Sequence, residues 1–319
     1  MIRLDPATGS SSAPPSVPAW AITTAGAPSD GDAAFRAGAA LGALDTLARS
    51  AFPGRGLAAA AGAPLCRRQH AARRPGRGRG GLARCLAFAS SGSDPGPAGA
   101  VFGAWRQLAG QPPAAMPDRL EKILDQLGLH WDGDALADLC TQIEKLVVSH
   151  RSAPFDAAAI AAEVVAMRPD SELFAWWLAD LVLAQRLGWQ RPLPLLMAQV
   201  FGPSFRTEAS GGRRIRPGDK NFERAVCVAL VAAAADACRL AAELSRRAEK
   251  LLAVAPKLRA KGAGDVIFLL LSEDAVSGSL ATKNLSRFAS RRLFERLQQL
   301  EAVRELSGRP TFRLFGLQR

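Results

Sequence analysis

The segment SRFASRRLFERLQQL opens with Ser286, Arg287, Ser290 and Arg291, spaced so that a helix would present them from its first turns. Arginine and serine at the start of a helix can donate to base edges in a major groove, where each base pair shows its own pattern of acceptors. Further on, Ser307-Gly308-Arg309-Pro310 reads as a turn between two segments of alternating polarity. Arg309 at its tip would reach phosphate or the minor groove, with Arg313 on the strand that follows. Double-stranded DNA is the partner this chemistry fits, and the arginines' pairing with Glu295, Glu301 or Glu305 is the structural alternative.

Other residues carry weaker chemistry. Asp180 lies in the apolar run WWLADLVLAQRLGW with Gln185 and Arg186 within two turns. A carboxylate there must be paired, so an Asp–Arg bridge between helices is expected, with a catalytic carboxylate as the less favoured alternative. Asp236, in an Ala-rich helix, is its expected counterpart. His130 and His150 follow helix ends, where a cation suits the dipole. Cys66, His70 and Cys85 match no zinc template, and Cys227 and Cys238 are too far apart along one helix to bridge. Trp176, Trp177 and Trp189 read as a core cluster sooner than a ligand pocket. No dinucleotide, phosphate-loop, zincin or nucleophile-elbow motif occurs, so neither an enzyme nor a bound cofactor or metal is expected.

These residues need elements to hold them, and the apolar spacing predicts helices almost throughout. A segment over 1–31 rich in Pro, Ser, Gly and Thr reads as disordered, apart from an anchor at Pro18-Ala19-Trp20. Helices are expected over 32–50, from Asp94-Pro95 through Leu108, from Pro117 to Gly128, and over 134–149, 155–167, 171–187 and 193–200. Gly202 to Gly218 reads as a basic loop, followed by a long helix from Asp219 to about Ala255. No alternating pattern precedes residue 300. The expected architecture is mostly α: an all-α body over 32–255 and a winged helix-turn-helix over 256–319, three helices plus a two-stranded hairpin. In that unit Val266 to Leu271 form a buried helix, and Phe288, Leu293, Phe294 and Leu297 follow the helical period.

The chain has 319 residues, 48% hydrophobic and 22% charged, with net charge +12. Such composition excludes wholesale disorder, and five irregularly spaced cysteines exclude a disulfide framework. The basicity is two patches. Residues 256–319 carry a net +6, and residues 54–93 carry eight arginines and no acid. That second stretch has three open readings: an arginine–glycine arm on nucleic-acid backbone, a solvated linker, or translation out of frame, the last being favoured. No secretory signal is recognised, and the longest charge-free apolar run, Ala225 to Ala235, is far short of a span. A cytoplasmic protein without membrane contact is expected.

Four stretches carry a family resemblance: DPGPAGAVFGAWRQL, LADLVLAQRLGWQRPLPLL, APKLRAKGAGDVIFLLLSEDAV and the tail SRFASRRLFERLQQLEAVRELSGRPTFRLFGL. Together the chain resembles the bacterial domain of unknown function 1403 family over nearly its whole length, departing from it after residue 53. That resemblance implies no established activity. The tail is also similar, at the level of fold, to the winged-helix ends of some bacterial Fic-like and mobile-element proteins. The expectation is a DNA-binding protein or transcriptional regulator whose helical body either forms a homodimer or senses an effector; the alternative is a non-enzymatic module that docks a protein partner.

Overall fold

The computed structural model describes residues 15–23, 28–49, 96–207, 212–273, 275–307 and 313–317. Arg309 and the whole of 54–93 lie outside the described residues. Among the described residues the chain is mostly α, with helices α1 (Ala19–Ile22), α2 (Asp30–Arg49), α3 (Gly96–Gly110), α4 (Pro117–Leu127), α5 (Gly133–Val147), α6 (Ala153–Met167), α7 (Glu172–Arg186), α8 (Leu195–Gln199), α9 (Phe222–Val254), α10 (Ala263–Ser272) and α11 (Arg287–Gln299). Strands β1 (Val276–Ser277), β2 (Arg304–Glu305) and β3 (Leu314–Gly316) follow α10 and α11.

Alanine sets the packing of the body. Ala33, Ala37 and Ala40 of α2, and Ala225, Ala229, Ala233 and Ala237 of α9, are buried at helical spacing. Without bulk between them the two helices lie along one another. α7 is buried on nearly every side from Phe174 to Ala184 and forms the centre around which α3, α4, α5, α6 and α8 pack. Trp176, Trp177 and Trp189 are core residues, as expected. Trp176 meets Phe205 and Phe222 edge-on, the Trp177 indole donates to Ala104 O at 3.0 Å, and the Trp189 indole donates to Asp45 at 2.7 Å. Burial of each such ring is worth about 2–3 kcal/mol, and the satisfied indole N–H keeps that gain.

The amino-terminal anchor is more than local. Val17 and Ala21 are buried in the body's core, and Trp20 stacks on the exposed ring of Phe35 with centroids 5.5 Å apart. α9 is long and apolar enough to cross a membrane by length and composition, more than the charge-free run suggested. Most of that apolar stretch is buried inside the protein.

A second core begins part-way along α9. Leu244, Leu251 and Val254 pack with Val266, Ile267 and Leu270 of α10, Leu293, Phe294 and Leu297 of α11, and Phe315 of β3. The expected boundary at 255 therefore falls inside a core, and the carboxy-terminal half of α9 belongs to both units. Two of the three helices expected over 256–319 are present. Residues 278–286 form turns instead, because Thr282 Oγ1 accepts from Asn284 N at 3.3 Å, a local bond that competes with helix. The expected two-stranded hairpin has a third strand, absent from the sequence reading. The antiparallel order is β1-β3-β2, with Val276 opposite Phe315 and Glu305 also opposite Phe315. β1 turns at Gly278, where a Cβ would lie 2.6 Å from the Phe315 ring. Phe268 of the supposedly buried α10 is 69% exposed.

Candidate nucleic-acid interface

α11 starts because Ser286 caps it: extended backbone at Ser286 lets its Oγ accept from Ala289 N at 3.3 Å. Its inward stripe is Ser290, Leu293, Phe294 and Leu297, the i, i+3, i+4, i+7 set of a half-buried helix. At 3.6 residues per turn Phe288 then lies roughly 160° from that stripe, on the outward face. It is 78% exposed, contrary to its assignment to the apolar period. The Arg291 guanidinium lies over its ring, 6.0 Å from the centroid.

The predicted site residues separate by burial. Arg287 and Arg291 are exposed on the first turns of α11, as the proposed docking requires. Ser290 is not available for it. The residue is wholly buried, with its Oγ lacking a hydrogen-bond partner, because it falls on the same stripe as Leu293 and Phe294. Arg313 is committed elsewhere: its guanidinium pairs with Glu305 at 2.8 Å, donates to Gln298 at 3.1 Å and lies over Phe315. For this residue the structural alternative is what the chain adopts. Arg309 lies outside the described residues. Sequence reasoning missed Phe288 and Arg292 as outward residues, although placing Ser290 on the inward stripe would have found both.

Several arginines of the body are paired with acids, while exposed Arg191 and Arg206 hold no carboxylate among the described residues. Arg49, Arg151, Arg168, Arg186, Arg214 and Arg224 each hold a carboxylate. Among the described residues none is paired with Arg287, Arg291 or Arg292.

The buried carboxylates resolve differently from expectation. Arg186 pairs not with Asp180 but with Asp156, Nε to Oδ2 at 2.8 Å, while donating to Val147 O at 2.8 Å and Arg151 O at 2.6 Å. Asp180 has no arginine. It accepts from Leu196 N at 2.9 Å and from the Trp105 indole at 3.4 Å, and so caps α8 from a different helix. Burial pushes its carboxyl up to about 7, against the opposing pull of the Leu196, Met197 and Leu195 amides and the Trp105 indole. Asp236 is not its counterpart: it pairs with Arg239 one turn away and accepts from Gln199 Nε2 at 3.1 Å on a partly exposed surface. Cys227 and Cys238 are buried, and burial pushes the Cys227 thiol up to about 12. Among the described residues no group of three metal-ligating side chains converges.

No curated protein matches the chain. A family model described as a protein of unknown function, DUF1403, matches residues 6–317. That range takes in the amino-terminal anchor, the helical body and the carboxy-terminal unit with its three-stranded sheet, so the chain belongs to the DUF1403 family.

Proposed function

We propose that the protein binds duplex DNA through α11. The observation that carries this reading is the outward face of α11, where Arg287, Arg291 and Arg292 stand exposed beside Phe288 with no carboxylate partner among the described residues. Arginine can donate to guanine O6 and N7 together, and a phenyl ring suits the thymine methyl group. The order α10, β1, turn, α11, β2, β3, with β3 central in the sheet, is a winged-helix order lacking its middle helix. α11 in such a unit is the recognition helix, supported from behind by Phe294 stacked on Phe315 at 4.6 Å.

Fluorescence anisotropy with labelled duplexes tests this reading. The full chain is expected to bind with an affinity that falls as salt rises, and Arg287→Ala and Arg291→Ala are each expected to cost about 1–3 kcal/mol and relax base preference at one position. Unchanged affinity in both variants, or no binding by the full chain at low salt, would overturn it.

A second reading is favoured by one observation. Phe268 and Phe288 are both large apolar side chains standing in solvent on this unit, which suits a protein partner. It predicts a stable partner complex and no salt-dependent DNA affinity.

A further inference from the structure

We infer that a second element contacts the DNA: the loop between α9 and α10, together with Lys283, forms a phosphate-binding ridge beside the start of α11. This inference rests on the reading of α11 as the groove-entering helix.

Lys257, Arg259, Lys261 and Lys283 are all exposed, and among the described residues none holds a carboxylate. They come from two segments separated in sequence, and the fold sets the end of the first, at Gly262, against Asn284 of the second. Gly262 makes it possible. Its φ is +97°, and a Cβ there would lie 3.0 Å from Asn284 O, so only glycine lets the loop carrying Lys261 close on the turn carrying Lys283.

Asp265 locks the two segments together. It accepts from Thr282 Oγ1 at 3.1 Å and from Asn284 Nδ2 at 3.5 Å, in a half-buried position. That acid is spent on the latch and does not pair with the neighbouring cations. From Asn284 the chain passes buried Leu285 and the Ser286 cap to reach Arg287 within three residues, about 10 Å of backbone. At that point the amides of Arg287 and Phe288 have no intrahelical partner and add donors suited to an anion.

The Asn284 amide between the two segments is turned to Asp265, and the charge of the lysines and arginine around it suits phosphate and not a base edge. The ridge therefore grips backbone flanking the groove that α11 enters. It supplies attraction and register, while Arg287 and Arg291 supply discrimination.

The test compares the full chain, its Lys261→Ala/Lys283→Ala variant and its Arg291→Ala variant on a preferred duplex and a scrambled duplex over a salt series. Removal of the two lysines is expected to weaken both duplexes by the same factor, several-fold or more. The slope of log affinity against log salt is expected to fall by about 2, close to 0.9 for each lost phosphate contact. Arg291→Ala should instead narrow the gap between the two duplexes. Both lysines are exposed, so an unchanged melting curve confirms that the fold is intact. Wild-type affinity and slope in the lysine variant, with Arg291→Ala still impaired, would overturn the ridge and leave the α11 reading standing. Absence of duplex binding by the full chain would overturn both. Stronger binding to single-stranded RNA of the same length would overturn the assignment to duplex backbone.

Discussion

Asp180 shows how a single side chain can be misassigned by its neighbours in sequence. Arg186 follows it by six positions, and pairing the two is the natural expectation for a carboxylate in an apolar helix. The donors are instead the Leu196 amide at the start of α8 and the Trp105 indole, and a backbone amide has no signature in a sequence. The outcome can be read in pH. The buried carboxyl holds its proton to about 7, against an ordinary value of 3.8, so between these the folded protein binds more protons than the unfolded chain. Stability attributable to Asp180 is therefore highest below about 4, declines as pH rises to about 7, and is level above that. Asp180→Asn keeps an acceptor for Leu196 N without the charge. It is expected to abolish that decline when urea midpoints at pH 5 and pH 8 are compared; the same decline in the variant would show that Asp180 is not its source. The same lesson applies to Ser290, whose type suggested DNA contact while its place on the wheel put it in the core.

At the scale of elements, most helices were legible because their determinants are local. Pro117 and Gly128 bracket α4, with Gly128 left-handed at φ 72°, and the apolar positions Leu136, Leu139, Cys140 and Ile143 trace α5. What could not be read was non-local. β1 is two residues long and exists because Phe315 and Leu314, far along the chain, pair with it. The turn over 278–286 has its local Thr282 bond, but it is also held by Asp265 of α10, 17 residues earlier. One element end is built against preference: Glu301, just past α11, has φ 52°, a left-handed conformation usually given to glycine. There Ala302 N donates to Leu297 O at 2.9 Å and closes the helix. The Glu301 side chain reaches Lys250 at 3.0 Å, an exposed pair that contributes little. Glu301→Gly is expected to stabilise the protein by about 1 kcal/mol and raise its Tm, since the relief of backbone strain exceeds the loss of that contact. A lowered Tm would mean that the Lys250 contact dominates.

For the molecule as a whole, the shared helix decides what counts as a unit. α9 is about 50 Å long at 1.5 Å per residue, with Ala241 in the body's core and Leu244 in the next. An ion pair of Arg106 with Glu273 at 2.8 Å adds a second tie between body and terminal unit. A fragment of residues 256–319 lacks Leu244, Leu251 and Val254, and is expected to melt without cooperativity by circular dichroism. A fragment of residues 240–319 keeps them and is expected to show a cooperative transition. Equal cooperativity in both would show that α9 is dispensable to the second core.

Continuity of α9 also bears on how such a chain can change over generations. Proteins assembled from separable cassettes can exchange a terminal unit at a linker, and the body survives the exchange. Here a crossover at 255 would strip three apolar side chains from one core and leave them bare on the other. Inheritance should therefore keep body and terminal unit together, with substitutions on one side of α9 constrained by the other.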